Sequence, residues 1–173
     1  MSAIGFVGYP GTGKDAIAKE LVTNYGYERI AFGDPVKEML LQVDPIYADD
    51  YAVLDRYKRQ RKHFTREKLQ NLGQLMREID REHWVRKIEE IGIPKRAIFT
   101  DIRYFNELAY VQRNCGGLII GIKRAGCRAV NGHQSEENTG KLYGCCDNIY
   151  DNHKTIEEAA KDIAEYAENR IRL

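Results

Sequence analysis

Cysteine, proline and tryptophan are scarce in this chain: its 173 residues hold four cysteines, four prolines and one tryptophan. Cys115, Cys127, Cys145 and Cys146 are unevenly spaced and include an adjacent pair. That is no disulfide framework; it points to free thiols and a reducing cytoplasm. An excess of charge is also missing. Lys and Arg number 27 against 26 Asp and Glu, a net +1, so bulk electrostatics call for neither a nucleic acid nor a membrane. Long apolar runs are absent too. The longest candidate, LIIGI, is the size of a strand and not of a membrane span. The opening residues MSAIGFVG lack a basic segment followed by a long apolar one, so no secretory signal is expected. What remains is a length that suits one domain with a proper core, without an evident repeat or linker.

The apolar run Ala3–Val7 reads as a buried first strand, and Lys14–Asn24 as a helix with Ile17, Ala18, Leu21 and Val22 on one face. YERIAF, Tyr27–Phe32, alternates as a second strand does. Asp34 then has the chemistry of an N-cap, with Pro35 suited to the first turn of a helix. Residues 44–55 have turn residues and tyrosines but no period, and Arg56–Lys68 is strongly basic. Thr65–Ile79 reads as a helix with Leu69, Leu72, Met76 and Ile79 on one face. Arg81–Ile91 reads as another, carrying Trp84, Val85, Ile88 and Ile91. Arg96–Thr100 is a third strand, Tyr104–Asn114 a helix closed by Gly116 and Gly117, and Leu118–Ile122 a fourth strand. Ala125–Cys146 is polar and glycine-rich without a period, so it reads as a long functional loop. Asn148–Tyr150 can form a last short strand. Thr155 and Glu158 make a capping box for a final helix with Ile156, Ala159, Ala160, Ile163 and Ala167 inward. Alternating strands and helices predict a parallel sheet covered on both faces, an α/β fold.

Gly8–Lys14, GYPGTGK, fits the phosphate-loop pattern G-x-x-x-x-G-K, between a strand and a helix as that motif requires. Backbone N–H groups of Gly11–Lys14 would face phosphate oxygens with a helix N-terminus behind them, and Lys14 would reach the terminal phosphates. The expected Ser or Thr, whose hydroxyl binds magnesium, is replaced by Asp15, a carboxylate able to meet the ion directly or through water. Asp101 stands at the carboxyl end of the third strand, where ligands bind in open α/β sheets. It is a candidate magnesium carboxylate; capping of the next helix is the plainer role. Arg103 and Glu107 are four apart and can pair with each other, or Arg103 can clamp a phosphate bidentately, the reading preferred here. Arg124, at the end of the fourth strand, and Arg128, at the start of the long loop, are placed to neutralise a transferring phosphoryl group. His133, Ser135 and Glu136 in that loop either contact nucleotide or only solvate it. A zinc site from Cys127, His133, Cys145 and Cys146 is disfavoured, because paired C-x-x-C arms are missing. The basic run RYKRQRKH, Arg56–His63, reads first as a solvated surface. An acceptor-phosphate site or a nucleic-acid patch are the sharper readings.

Taken together, these motifs resemble the deoxynucleoside monophosphate kinases of tailed bacteriophages, within the P-loop nucleoside monophosphate kinases. The matching segments are the loop ending in GKD, FGDPVKE after the second strand, LQNLGQLMREIDREHW (Leu69–Trp84), FTDIRYFNE (Phe99–Glu107), IKR ending at Arg124 and HQSE (His133–Glu136). The segment from Asp44 to His63 is reduced relative to that family. The resemblance implies a single three-layer P-loop kinase domain: core at about 1–43 and 94–173, helical acceptor-binding insertion at about 44–93, lid at about 125–146. It implies transfer of the ATP γ-phosphate to a nucleoside monophosphate with Mg2+ as cofactor, in the cytoplasm (a host's, if a phage encodes it). Neither a stable nucleic-acid partner nor a membrane is implied, and a homodimer is left open. The implied ATP site is Gly8, Gly11, Thr12, Gly13, Lys14, Asp15 and Ala16, with Asp15 and Asp101 on the metal. Asp34, Lys37, Gln70, Arg77, Arg103 and Glu107 fall to the acceptor, and Lys14, Asp101, Arg103, Arg124 and Arg128 to catalysis. Two other functions fit the sequence. One is a kinase for a different phosphorylated acceptor, since animal-type phosphomevalonate kinases also carry a GKD loop. The other is a non-catalytic nucleotide- or nucleic-acid-binding module using the basic run.

Overall fold

The structure, a computed structural model, describes residues 2–44, 54, 62–129 and 134–171. Most of the basic run and His133 lie outside the described residues. The chain divides into two compact units, one of residues 1–31 with 92–173, the other Phe32–Ile91.

The first unit is a five-stranded sheet, all of whose pairings are parallel. Its strands are β1 (Ser2–Val7), β2 (Glu28–Ile30), β3 (Arg96–Phe99), β4 (Leu118–Lys123) and β5 (Asn148–Asp151), in the order β2-β3-β1-β4-β5. β1 is central: Ile4 aligns with Ile98 on β3 and with Leu118 on β4. Such strands are covered on both faces, so they read as continuous apolar runs without alternation. Helices α1 (Lys14–Tyr25) and α7 (Ile156–Ile171) cover one face. Ile4, Phe6, Ile98, Ile120 and Ile122 of the sheet meet Ile17, Leu21, Ala159, Ala160 and Ile163 there. The alanines Ala159, Ala160, Ala164 and Ala167 keep the inner side of α7 small, so it lies close against the core. Thr155 and Glu158 form the expected capping box: the Glu158 N–H donates to Thr155 Oγ1 (3.2 Å) and the Thr155 N–H to Glu158 Oε2 (3.1 Å). Helix α5 (Phe105–Arg113) covers the other face. A side chain at Gly5 would come within 2.4 Å of Ile102 and 3.3 Å of Val111, so β1 needs a glycine for this layer to pack. The result is the three-layer α/β architecture expected.

The second unit contains α2 (Gly33–Val43), α3 (Lys62–Ile79) and α4 (His83–Ile91). Leu40, Leu41 and Leu54 form its apolar centre, with Leu69 and Leu72 against them. Trp84 is buried, and its indole N–H donates to the Gly73 carbonyl of α3 (3.0 Å). That bond ties α4 to α3 and satisfies the one polar atom of the ring.

Three local expectations are corrected. Asp34 is not an N-cap: α2 begins at Gly33 with Phe32 as its cap residue, and Asp34 sits inside the first turn, paired with Lys37. A carboxylate there still gains from the helix dipole. Ile79 and Ile91 end their helices and are 72% and 66% exposed, so neither completes an inner face. Residues 125–146 are not one irregular loop. They include α6 (Gln134–Leu142) and a 3-10 turn, Tyr143–Cys145. The buried positions of α6 are Ser135, Glu136, Thr139 and Leu142. Its inner face is mostly polar, so apolar periodicity was silent.

Candidate active site

The turn between β1 and α1 has the form that its glycines dictate. Gly11 and Gly13 adopt φ of 85° and 92°, the left-handed region where a Cβ is strained. Gly8 is fixed by space, since a Cβ there would lie 2.8 Å from the Ile122 carbonyl oxygen and 2.9 Å from Thr12 Oγ1. Thr12 is turned inward, and its hydroxyl donates to the Tyr9 carbonyl (2.9 Å). Gly13 is the residue before α1, so Lys14 and Asp15 open the helix with its first N–H groups unpaired inside the helix.

Lys14 is only 6% exposed, and its ammonium donates to the Tyr9 carbonyl (3.4 Å). Burial pushes its pKa below the usual value; the charges of Asp15 and Asp101 act against that, while the Arg103 guanidinium adds to it. The fold thus places four of the expected residues in one electrostatic neighbourhood: Lys14, Asp15, Asp101 and Arg103. Asp15 and Ala16 are exposed in the first turn of α1. Asp101 follows the end of β3, half-buried. Two carboxylates in this position suit Mg2+, which keeps several waters and takes the rest of its ligands from phosphate oxygens.

Glu107 has a local use. It is the third residue of α5, 1% exposed, and its Oε2 accepts the backbone N–H groups of Arg103 (2.8 Å) and Tyr104 (3.1 Å). It thereby caps α5 and holds the backbone that carries Arg103. The spacing of Arg103 and Glu107 suggests a side-chain ion pair on one helix, the alternative to a phosphate clamp by Arg103. The helix begins only at Phe105, so Arg103 lies before it and the Glu107 carboxylate reaches back to its backbone N–H. Arg124 and Arg128 are both exposed beyond β4, where the Cys127 N–H donates to the Arg124 carbonyl (3.1 Å) in a turn.

Four residues at this corner were not singled out as nucleotide-site residues. Tyr9, inside the glycine turn, packs edge-on against Tyr143 with centroids 5.8 Å apart. The Tyr143 hydroxyl donates to the Ile122 carbonyl (3.0 Å), and burial pushes its pKa up to about 12. Cys127 Sγ lies 3.5 Å from where a Cβ on Gly11 would be; all four cysteines are free thiols. Asn152, just past β5, donates through Nδ2 to the Thr12 carbonyl (2.8 Å). The available signal for Asn152 was topological: it follows a parallel strand at the sheet's carboxyl edge, the side that carries ligands.

The remaining expected residues lie in the helical unit. The Asp34 carboxylate is paired with Lys37 one turn on. Gln70 is half-buried on α3, and the Arg77 guanidinium donates to the Gly73 carbonyl of its own helix (3.0 Å).

No family model and no curated protein matches the chain significantly. Solved structures do. Shikimate kinase from Aquifex aeolicus aligns over 98% of this chain and 98% of its own, with a TM-score of 0.53 at 12% identity. Shikimate kinase from Bacteroides thetaiotaomicron aligns over 96% and 98%, with a TM-score of 0.50 at 14% identity. Dephospho-CoA kinase from Campylobacter jejuni aligns over 98% and 100%, with a TM-score of 0.45 at 16% identity. The first two show that the chain shares the fold of these shikimate kinases. Among the described residues no helix is long and apolar enough to cross a membrane.

Proposed function

We propose that the protein is an ATP-dependent phosphotransferase whose acceptor is a nucleoside monophosphate, as in the bacteriophage deoxynucleoside monophosphate kinases it resembles. The observation that carries the reading is the buried Lys14 at the mouth of α1, with two carboxylates and a guanidinium close enough to set its charge. A lysine buried without a full partner costs stability, and a site that gains from a triphosphate explains why it is kept.

The chemistry asked of these residues is electrostatic. An acceptor phosphate oxygen attacks the γ-phosphorus of ATP, the bond to the β–γ bridging oxygen breaks, and ADP leaves with that oxygen's electron pair. The acceptor oxygen is already ionised near neutral pH, so no strong base is needed. The N–H groups of the glycine turn and of the first turn of α1 hold the donor phosphates. Lys14 supplies a positive charge to the β- and γ-phosphates, and Arg103 a planar two-pronged donor for the oxygens of the transferring group. Asp15 and Asp101 would hold Mg2+, which when bound supplies the charge that lets two anionic substrates meet. Arg124 and Arg128, exposed beyond β4, would add further positive charge. Asp34, Lys37, Gln70 and Arg77 remain the candidates for the acceptor side.

A coupled assay of ADP release, with ATP against the common ribo- and deoxyribonucleoside monophosphates, tests the proposal. Shikimate and phosphomevalonate serve as further acceptors, the first because the structural neighbours include shikimate kinases. Turnover with a monophosphate bearing a base is expected. Turnover with only one of the other acceptors would move the chain to another branch of the kinases. Salt-dependent binding of nucleic acid without turnover would favour the non-catalytic reading.

A further inference from the structure

We infer that Asn152 is a positioning residue for the phosphate loop, holding the Thr12–Gly13 peptide in its phosphate-binding form before any nucleotide arrives. The inference rests on the phosphate site proposed above and adds to it a residue that follows the edge strand β5. Asn152 is 6% exposed. Its backbone N–H donates to the Lys123 carbonyl at the end of β4 (2.8 Å), which fixes the residue to the sheet. From there Nδ2 donates to the Thr12 carbonyl (2.8 Å). The same nitrogen lies 2.3 Å from where a Cβ on Gly13 would stand. The loop is therefore clamped on two sides. The hydroxyl of Thr12 is drawn to the Tyr9 carbonyl (2.9 Å), its carbonyl to Asn152, and the glycine that follows is pressed against the amide. With that peptide fixed, the unpaired N–H groups at the start of α1 keep one orientation, the condition for holding a phosphate. Two glycines at positive φ would otherwise give this turn the freest backbone at the site. Holding it in advance removes an ordering cost from phosphate binding.

The chemistry of the side chain separates this role from plain packing. The Asn152 Oδ1 atom is buried and has no hydrogen-bond partner. An amide kept for stability alone would have both ends satisfied. Among the described residues the bond from its nitrogen to the Thr12 carbonyl is the one this side chain makes, so that bond is the contact the substitutions below probe. The amide orientation follows from its partner, since only a donor can face a carbonyl oxygen.

The test compares Asn152→Ala and Asn152→Asp with the unaltered chain by calorimetric titration of ATP and of inorganic tripolyphosphate, beside thermal melts without ligand. Alanine removes both the clamp and the orphaned oxygen, so its melting temperature should stay within a few degrees while both ligands bind ~10-fold more weakly. Aspartate keeps the shape but turns an oxygen toward the Thr12 carbonyl, so it should bind both ligands more weakly than alanine does. A packing role predicts the reverse order. ATP and tripolyphosphate binding unchanged in Asn152→Ala would overturn the inference, as would affinity lost only in step with melting temperature or failure of both variants to fold. If the unaltered chain binds neither ligand, the phosphate site falls and this role with it. Binding by the unaltered chain that persists in Asn152→Ala removes the positioning role alone.

Discussion

The glycine turn after β1 and helix α6 lie in the same unit and meet through Tyr9, yet they are built on opposite terms. The turn is specified by what its residues lack. Gly8 has no room for a Cβ, and Gly11 and Gly13 hold a backbone sign that other residues resist. Its work is done by N–H groups and one lysine. Helix α6 is specified by side chains of a kind that patterns miss. It buries Ser135, Glu136 and Thr139 and exposes Gln134, Glu137 and Lys141. The Thr139 hydroxyl donates to the Ser135 carbonyl (3.0 Å), a bond made within the helix itself. Where function constrains the backbone, it leaves glycines at fixed intervals. Where burial is achieved with polar groups, the sequence looks like a surface.

The largest effect expected is on the turn. Lys14→Met should lower turnover by roughly 10²–10³-fold, as the loss of a positioned transition-state charge does. The same change should raise the melting temperature of the ligand-free chain by about 2–4 °C. The sign follows from the lowered pKa. The folded chain binds a proton at Lys14 less readily than the unfolded chain, so the charged form costs stability below the folded pKa. That cost fades as pH rises toward the ordinary value of 10.5. The gain from methionine should accordingly shrink as pH rises toward 10.5. Near-normal turnover, or a lower melting temperature at pH 7, would refute the idea that the lysine is held at a cost for its charge.

Gly13→Ala comes next. It places a Cβ at φ 92° and 2.3 Å from Asn152 Nδ2. A loss of about 2–3 kcal/mol in denaturant unfolding is expected from the backbone strain and the displaced amide. ATP affinity should fall by ~10-fold or more, because the N–H groups that follow are re-aimed. A variant unaltered in both would mean that the turn is not as constrained as its geometry indicates.

The contrast also explains what could be read in advance. All five strands stood close to their observed positions: β1, β3 and β4 because short apolar runs mark buried parallel strands, β2 because YERIAF alternates, and β5 from its place before the last helix. The Thr155–Glu158 capping box was legible for the same local reason. Lys14, Asp15, Asp101 and Arg103 could be named in advance as neighbours because the glycine motif marks the start of a helix and Asp101 the end of a strand beside it, and the structure does bring their charges together. Asn152 had only its place after a parallel strand to mark it: its partner Thr12 is 140 residues away, and a lone asparagine there adds no residue pattern. Glu107 was seen, but its position relative to the start of α5 decided its contact, and helix starts are the least certain boundary to read.

Glu107→Gln sharpens that point with a smaller effect. The amide keeps one acceptor for the N–H groups of Arg103 and Tyr104 but loses the charge. A stability loss of about 1 kcal/mol is expected. Turnover should fall by only ~5-fold, through looser placement of Arg103. Loss of acceptor affinity at unchanged stability would instead put this carboxylate on the acceptor.

The smallest effect tests whether the two regions are coupled. Gly140 lies inside α6 in an ordinary helical conformation, and a Cβ there would be 3.0 Å from the Tyr9 hydroxyl. Alanine in a helix interior is worth roughly 0.5–1 kcal/mol over glycine. Against this, the hydroxyl must move by a few tenths of an ångström. Tyr9 cannot yield freely, since its ring rests edge-on against Tyr143. Part of the displacement should therefore pass into the glycine turn that Tyr9 belongs to. For Gly140→Ala we expect a stability change below about 0.5 kcal/mol, the two terms nearly cancelling. The KM for ATP should rise by ~2–3-fold. Tyr9→Phe removes only the crowded hydroxyl, so in the double variant the KM should return to that of Tyr9→Phe alone and the helix gain of about 0.5–1 kcal/mol should emerge in full. The measurement is a double-mutant cycle in both unfolding free energy and KM. Strictly additive effects would mean that α6 rests on the phosphate loop without acting on it.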